Sequence, residues 1–208
     1  MYDLYGMPMT RATRVVWALE EIGAEYRYHL VNLMKGEGQA PDFLRLNPFG
    51  KVPVLVDGDL VLSESAAICT YLGDQYPETE LVPPVGTAER ARYDQWCYFV
   101  LTELEQPLWT IHKHRFVFPE EKKVSQILPV AAWEFQRALA VLDKGLGEQE
   151  YLVNNSFTMA DILAAHTLRW ARAAKQAIES QALQKYEKRV CGRTALERAK
   201  QREQAAKQ

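Results

Sequence analysis

Up to about residue 80, short apolar runs alternate with helical patterns; beyond it, helix-type periodicity is nearly continuous and strand signals vanish. Tyr2 to Tyr5 is the first strand candidate and ends at Gly6. Thr10 can cap a helix in which Ala12, Val15, Val16, Leu19 and Ile22 recur at the helical period, with Gly23 as its stop. Tyr26, Tyr28 and Leu30 alternate with polar neighbours as a second strand. Pro41 to Leu46 has room for one or two helical turns. Pro53 to Val56 and Leu60 to Leu62 flank Asp57-Gly58, a pair that favours a tight hairpin, and Glu64 to Tyr71 returns to helix.

That order, β-α-β-α-β-β-α with a parallel crossover first and an antiparallel pair last, predicts a thioredoxin-like domain over residues 1–78. After Pro77, prolines 83 and 84, with Gly86, make a connector at 79–86 that continues neither helix nor sheet. Residues 87–208 then read as an all-helical domain, so the fold class is α/β followed by all-α. A helix from Thr87 runs through Trp96, Val100, Leu104 and Trp109, bent at Pro107 and broken by Phe118-Pro119. Val124 to Leu146 forms a second, ended by Gly145 and Gly147. Thr158 and Asp161 have the spacing of a capping box, and the nearly uncharged helix from Ile162 to about Ala174 is the expected centre of this domain. From Lys185 onward eight Lys/Arg stand against three Glu, a pattern read as a solvated helical face.

Composition narrows the function classes. With 208 residues, 48% hydrophobic and 25% charged, the chain has the make-up of a folded globular protein. A net charge of −2 supplies no general attraction to nucleic acid or anionic lipid. The opening Met-Tyr-Asp-Leu-Tyr lacks the basic and apolar regions of a secretory signal, and no apolar run approaches the roughly 18 residues of a membrane span. Cys69, Cys97 and Cys191 are odd in number and far apart, which fits reduced thiols in a cytoplasmic chain without a disulfide framework or metal site.

The run Asn47-Pro48-Phe49-Gly50-Lys51-Val52-Pro53-Val54-Leu55, followed by Ser63 to Ile68, resembles the glutathione-binding half of the cytosolic glutathione S-transferases. Leu4 to Arg11 and the later box from Phe157 to Asp161 fit the same family, in the same order and spacing. The resemblance implies glutathione as cosubstrate, no permanently bound cofactor, a hydrophobic electrophile as second substrate, and a homodimer with contacts near Trp96 and along the 64–76 helix. It implies that Val52 offers its backbone N–H and C=O to the cysteinyl part of the tripeptide. A cis Pro53 would turn that backbone toward a ligand. Glu64 and Ser65 suit the ammonium and carboxylate of the γ-glutamyl end, at a helix N-terminus whose partial positive charge favours anions. Lys51 suits the glycyl carboxylate. Where relatives often carry a second basic residue, this chain has Gly38-Gln39, so Gln39 can only hydrogen-bond.

For the sulfur, the position aligned with serine-type members is Thr10, and Tyr5 resembles the tyrosine type; a backbone amide is a third option. A hydroxyl donating to the thiolate at the start of a helix favours ionisation of a thiol whose ordinary pKa is about 8.5. Met9, Trp109 and Phe116 are the candidate walls of an electrophile pocket between the domains. The expected activity is conjugation of the glutathione thiolate to electrophilic small molecules. The alternatives are a non-catalytic glutathione- or ligand-binding or interaction protein, and a glutathione-dependent peroxidase or isomerase.

Overall fold

The computed structural model describes residues 1–206, in two compact units: residues 1–82 together with the chain from Gly192 onward, and residues 83–191. The first unit holds a four-stranded sheet in the order β2-β1-β3-β4, from β1 (Tyr2–Gly6), β2 (Tyr26–Leu30), β3 (Val54–Asp57) and β4 (Leu60–Ser63). β1 pairs parallel with β2 and antiparallel with β3, which pairs antiparallel with β4 across a two-residue loop, Gly58-Asp59. The thioredoxin-like reading of this segment is what the structure shows.

The parallel crossover is α1 (Ala12–Ile22), ended by Gly23 in the left-handed region, its N–H donating to the Leu19 carbonyl at 2.9 Å. Every residue from Ala12 to Leu19 is buried, polar Thr13 and Arg14 included. The helix is therefore not a one-sided amphipath; it lies against α3 (Ser65–Gln75) and against a helix from the far end of the chain. On the other side of β1, Tyr5 turns toward Phe43 of α2 (Pro41–Leu46), in a cluster with Met7, Leu33, Leu46, Val52 and Val54.

In the second unit, α4 (Ala88–Phe99) runs into a π-helical turn at Val100–Leu104, then α5 (Glu105–His112) and a second π turn at Lys113–Val117. Pro107, where a bend was expected, lies within α5, and the irregularity that precedes it is the π turn. Pro107 has no N–H to return to residue 103, and the ladder widens just upstream, where the Glu105 N–H reaches the Val100 carbonyl. α6 (Ile127–Leu146) starts after the three residues that prolonged its pattern, and Gly145 lies inside it instead of stopping it. The ring of Trp96 packs there so closely that a Cβ on Gly145 would stand 2.3 Å from it. α7 (Met159–Ala173) is continuously buried from Met159 to Ala165 behind its capping box, where its sequence is nearly uncharged, and reaches solvent at Arg169 and Arg172.

The basic side chains of the tail lie on a largely solvated face, as read in the sequence, but the helix that carries the last of them is docked. After α8 (Gln181–Cys191), α9 (Thr194–Ala205) packs on α1, so residues expected with the helical domain complete the first unit. Arg193 grips Glu21 through two bonds of 2.6 and 2.8 Å, and Arg198 reaches Glu20 at 3.0 Å. Among the described residues no helix is long and apolar enough to cross a membrane, and no group of three or more His, Cys, Asp or Glu side chains is placed to hold a metal ion.

Candidate functional site

The loop from β1 to α1 ends at Thr10, whose hydroxyl donates to the Met7 carbonyl at 2.6 Å and accepts the Ala12 N–H at 3.2 Å. The hydroxyl thus caps the helix start, and its proton occupies a loop carbonyl. Met9, just before it, has φ 64° and is 92% exposed. Tyr5 does not share this position: its ring stacks on His29 at 4.6 Å within the α2-side cluster.

Two loops meet beside α2. A Cβ on Gly38 would lie 2.5 Å from the Gly50 carbonyl oxygen, and one on Gly50 (φ 63°) would lie 2.3 Å from the Gln39 amide nitrogen. Only glycine allows this approach, which brings Gln39 and the 49–51 segment together. Buried Asn47 braces the second loop, its amide donating to the Lys51 carbonyl at 2.7 Å and its oxygen accepting the Phe49 N–H at 3.1 Å. The Lys51 ammonium sits 5.7 Å from the centre of the exposed Phe49 ring. The Val52–Pro53 peptide is cis, and both residues precede the paired part of β3, whose registers begin at Val54.

At the start of α3, Glu64 adopts φ 71°, ψ 111°, a conformation that costs a non-glycine residue about 1–3 kcal/mol and that clusters at functional positions. Met9 and Glu64 both stand immediately before a candidate contact, Thr10 and Ser65. Glu64 is exposed, while Ser65 is buried and its oxygen accepts a hydrogen bond from Arg14 Nη1 at 3.2 Å. Since arginine only donates, this bond leaves the Ser65 proton for another acceptor. Arg14, fully buried, was not among the sequence candidates. The signal was present: Val15 to Leu19 is apolar on every face, so the helix is enclosed and its polar residues need internal partners.

Cys69, buried, points its thiol at the Arg14 carbonyl at 3.8 Å. Cys97 lies in the second unit, and burial pushes its thiol up to about 12, too high to ionise near neutrality. In that unit Trp109 and Phe116 join one aromatic cluster. Trp109 stacks on His112 at 5.6 Å, His112 meets Phe116 at 5.3 Å, and Trp170 touches both Trp109 and His112. Trp170, on α7, was not among the sequence candidates; aromatic side chains on separate helices carry no local sign that they meet.

Comparison with known proteins decides what this arrangement belongs to. Residues 1–74 match the sequence model for the glutathione S-transferase N-terminal domain, and residues 131–197 that for its C-terminal domain. Glutathione S-transferase 3 of Zea mays is 35% identical over 177 residues, spanning 79% of this chain and 75% of the maize protein. The chain belongs to the glutathione S-transferase family. A crystal structure of a glutathione transferase from Methylococcus capsulatus superposes with a TM-score of 0.88 at 28% identity, covering 99% of this chain and all of that one. A family member from Pseudomonas fluorescens, solved with two glutathione molecules bound, gives 0.85 at 26% identity, over 95% of this chain and 91% of that one.

For a glutathione transferase-family chain, the meeting of the two glycine loops makes a prediction. Gly38→Ala should force its methyl against backbone and lower stability by about 1–3 kcal/mol. It should also weaken retention on immobilised glutathione. A lower Tm with unchanged retention would remove Gln39 and Lys51 from the binding site.

Proposed function

We propose that this glutathione transferase conjugates the glutathione thiolate to apolar electrophiles, using Thr10 at the sulfur and Glu64, Ser65, Val52, Pro53, Lys51 and Gln39 along the tripeptide. The observation that carries the reading is the 3.2 Å bond from Arg14 to Ser65. Arg14 stands one helical turn after Thr10, so a single helix start links the candidate sulfur position to the candidate carboxylate position. There the buried guanidinium and the N-terminus of α3 favour an anion, and Ser65 keeps a proton to donate to it. Val52, outside the sheet ladders, suits strand-like pairing with the cysteinyl backbone, and Lys51 and Gln39 suit the glycyl end.

In the reaction, the thiol loses its proton to solvent. The thiolate then attacks an electrophilic carbon, forming the S–C bond, with the leaving group departing on the bonding electrons or with addition across an activated double bond. Thr10 holds the thiolate by moving its proton from the Met7 carbonyl to sulfur. A charge-assisted bond of about 1.5–3 kcal/mol outweighs a neutral one of about 0.5–1.5, so the exchange is favourable once glutathione is bound. Trp109 and Phe116, with His112 and Trp170, suit flat apolar acceptors. Detoxification in the cytoplasm is the setting such chemistry fits. A homodimer is the assembly we propose, resting on exposed Leu60, Val61 and Tyr98. Trp96 serves it less than its sequence position implies, because its ring is taken up by Gly145.

Ser65→Ala should weaken glutathione binding roughly tenfold, the loss of one hydrogen bond to a charge, measured by calorimetry. Unchanged affinity would place the γ-glutamyl carboxylate elsewhere. Ultraviolet titration of the bound thiol separates enzyme from mere binder: an enzyme lowers its pKa below that of free glutathione, whereas an unshifted value assigns a binding role.

A further inference from the structure

The C-terminal helix carries one acidic side chain that is not on its surface. Glu203 is only 4% exposed, and its Oε1 accepts the Thr13 hydroxyl at 2.8 Å, across 190 residues of sequence. Thr13 lies in the first turn of α1, and its backbone N–H donates to the Thr10 carbonyl at 3.1 Å; Arg14 is the next residue. Around the same carboxylate stand the anchors of the loop that leads to Thr10. The Tyr28 hydroxyl, buried and without a hydrogen-bond partner among the described residues, is held well above its ordinary range by burial and then by the Glu203 charge. A Cβ on Gly6, the last residue of β1, would lie 2.9 Å from that hydroxyl and 2.8 Å from the Ala12 methyl. The loop's start at Gly6 is therefore wedged against the Tyr28 hydroxyl that Glu203 acts on, and its end at Thr10 accepts the N–H of Thr13, which donates to Glu203.

The other contacts of α9 are of a different kind. Arg193 and Arg198 pair with Glu21 and Glu20 at the far end of α1, their side chains 34% and 50% exposed, and the Arg202 guanidinium lies 5.2 Å from the Tyr26 ring centre. The acids in these pairs are 8% and 14% exposed, so the pairs can fasten the helix, and they lie two turns or more from Thr10. If docking α9 were the only purpose, they and the apolar Leu196 and Ala199 would serve. A carboxylate buried beside the first turn of α1 is costly, and its position there calls for a separate account.

We propose that Glu203 is a positioning residue for the reaction: through Thr13 it fixes the first turn of α1, and with it the Thr10 hydroxyl and the Arg14 guanidinium, in the geometry that stabilises the glutathione thiolate. The inference rests on Thr10 acting at sulfur, as proposed above. It makes the far end of the chain part of the thiol site without touching substrate. Small displacements of a reacting group are enough to matter, since about 1 Å can cost 10²-fold in rate.

The test uses the full chain with glutathione and 1-chloro-2,4-dinitrobenzene as the probe electrophile. Glu203→Ala should lower kcat roughly tenfold, leave KM for glutathione within about threefold, and raise the pKa of the bound thiol. Glu203→Gln, whose amide oxygen still accepts from Thr13, should retain most of kcat. Thr13→Val should reproduce the alanine effect, and the double variant should be no worse than either single one, because both cut the same link. Arg198→Ala, which loosens the same helix at its surface, should leave kcat unchanged. A Glu203→Ala variant with a lower Tm but normal kcat and thiol pKa would reduce Glu203 to a structural residue and overturn the inference. The same result together with an impaired Thr10→Ala would leave the assignment of Thr10 standing, whereas a silent Thr10→Ala would overturn both.

Discussion

Thr10→Ala is expected to lower kcat/KM by roughly 10- to 150-fold, the value of one hydrogen bond to a charged sulfur at about 1.5–3 kcal/mol. The bound thiol pKa should rise by about one to two units in step, since the hydroxyl favours only the ionised form. Glutathione affinity should change little, because the tripeptide's backbone and carboxylates are held by other groups. Thr10 also caps α1, accepting the Ala12 N–H, and losing that bond should cost stability by about 1 kcal/mol, visible in Tm and separable from the kinetic effect. Thr10→Ser keeps both the proton and the cap and should retain most of the rate. Tyr5→Phe is the matched control: the Tyr5 ring is stacked on His29 and sits beside Phe43, contacts that phenylalanine keeps, so full activity is expected. Full activity in Thr10→Ala with loss in Tyr5→Phe would reverse the assignment.

What the sequence made legible is what local physics decides. Gly23 ends α1 because only a residue at ease with positive φ closes that turn, and Gly58 opens the hairpin loop for the same reason. Thr158 and Asp161 form their box because cap and partner are three residues apart. The site motifs were legible as a family pattern, and the structure adds how they are assembled: loop against loop at Gly38 and Gly50, and helix start against helix start at Arg14 and Ser65. The illegible parts join distant segments. The basic run is largely solvated as read, but nothing local shows that Arg193 and Arg198 pair with Glu21 and Glu20, some 170 residues earlier, and Glu203 looks like one more surface acid of that run. The enclosure of α1 could be inferred from Val15 to Leu19, but not which helix completes it. The π turns at Val100–Leu104 and Lys113–Val117 leave no periodic mark, because each adds a single residue to an otherwise helical ladder.

The largest stability effect should follow from Asp161, which is fully buried at the start of α7. Its Oδ2 accepts from the Thr158 N–H at 2.8 Å and the Thr158 hydroxyl at 3.1 Å; its Oδ1 accepts from the Leu152 N–H at 3.0 Å and the Tyr186 hydroxyl at 2.8 Å. One carboxylate thus ties the segment before α7, the cap and α8 together. Asp161→Ala removes all four acceptor contacts and strands buried donors at Leu152 and Tyr186, each costing about 1–3 kcal/mol, for a total of about 3–5. Urea unfolding of the full chain should show this as a lower midpoint. The charge itself works against the fold. Burial pushes the Asp161 carboxyl up to about 6 in spite of those donors, against an ordinary value near 4. A raised folded-state pKa means that the native chain binds more protons than the unfolded chain between about pH 4 and pH 6, so this group's contribution falls as pH rises through that window, by about 3 kcal/mol in all. Asp161→Asn has no such titration. Its penalty relative to the parent protein should therefore be larger at pH 4 than at pH 7, and a penalty that grows with pH would show that the four donors outweigh the cost of burying the charge.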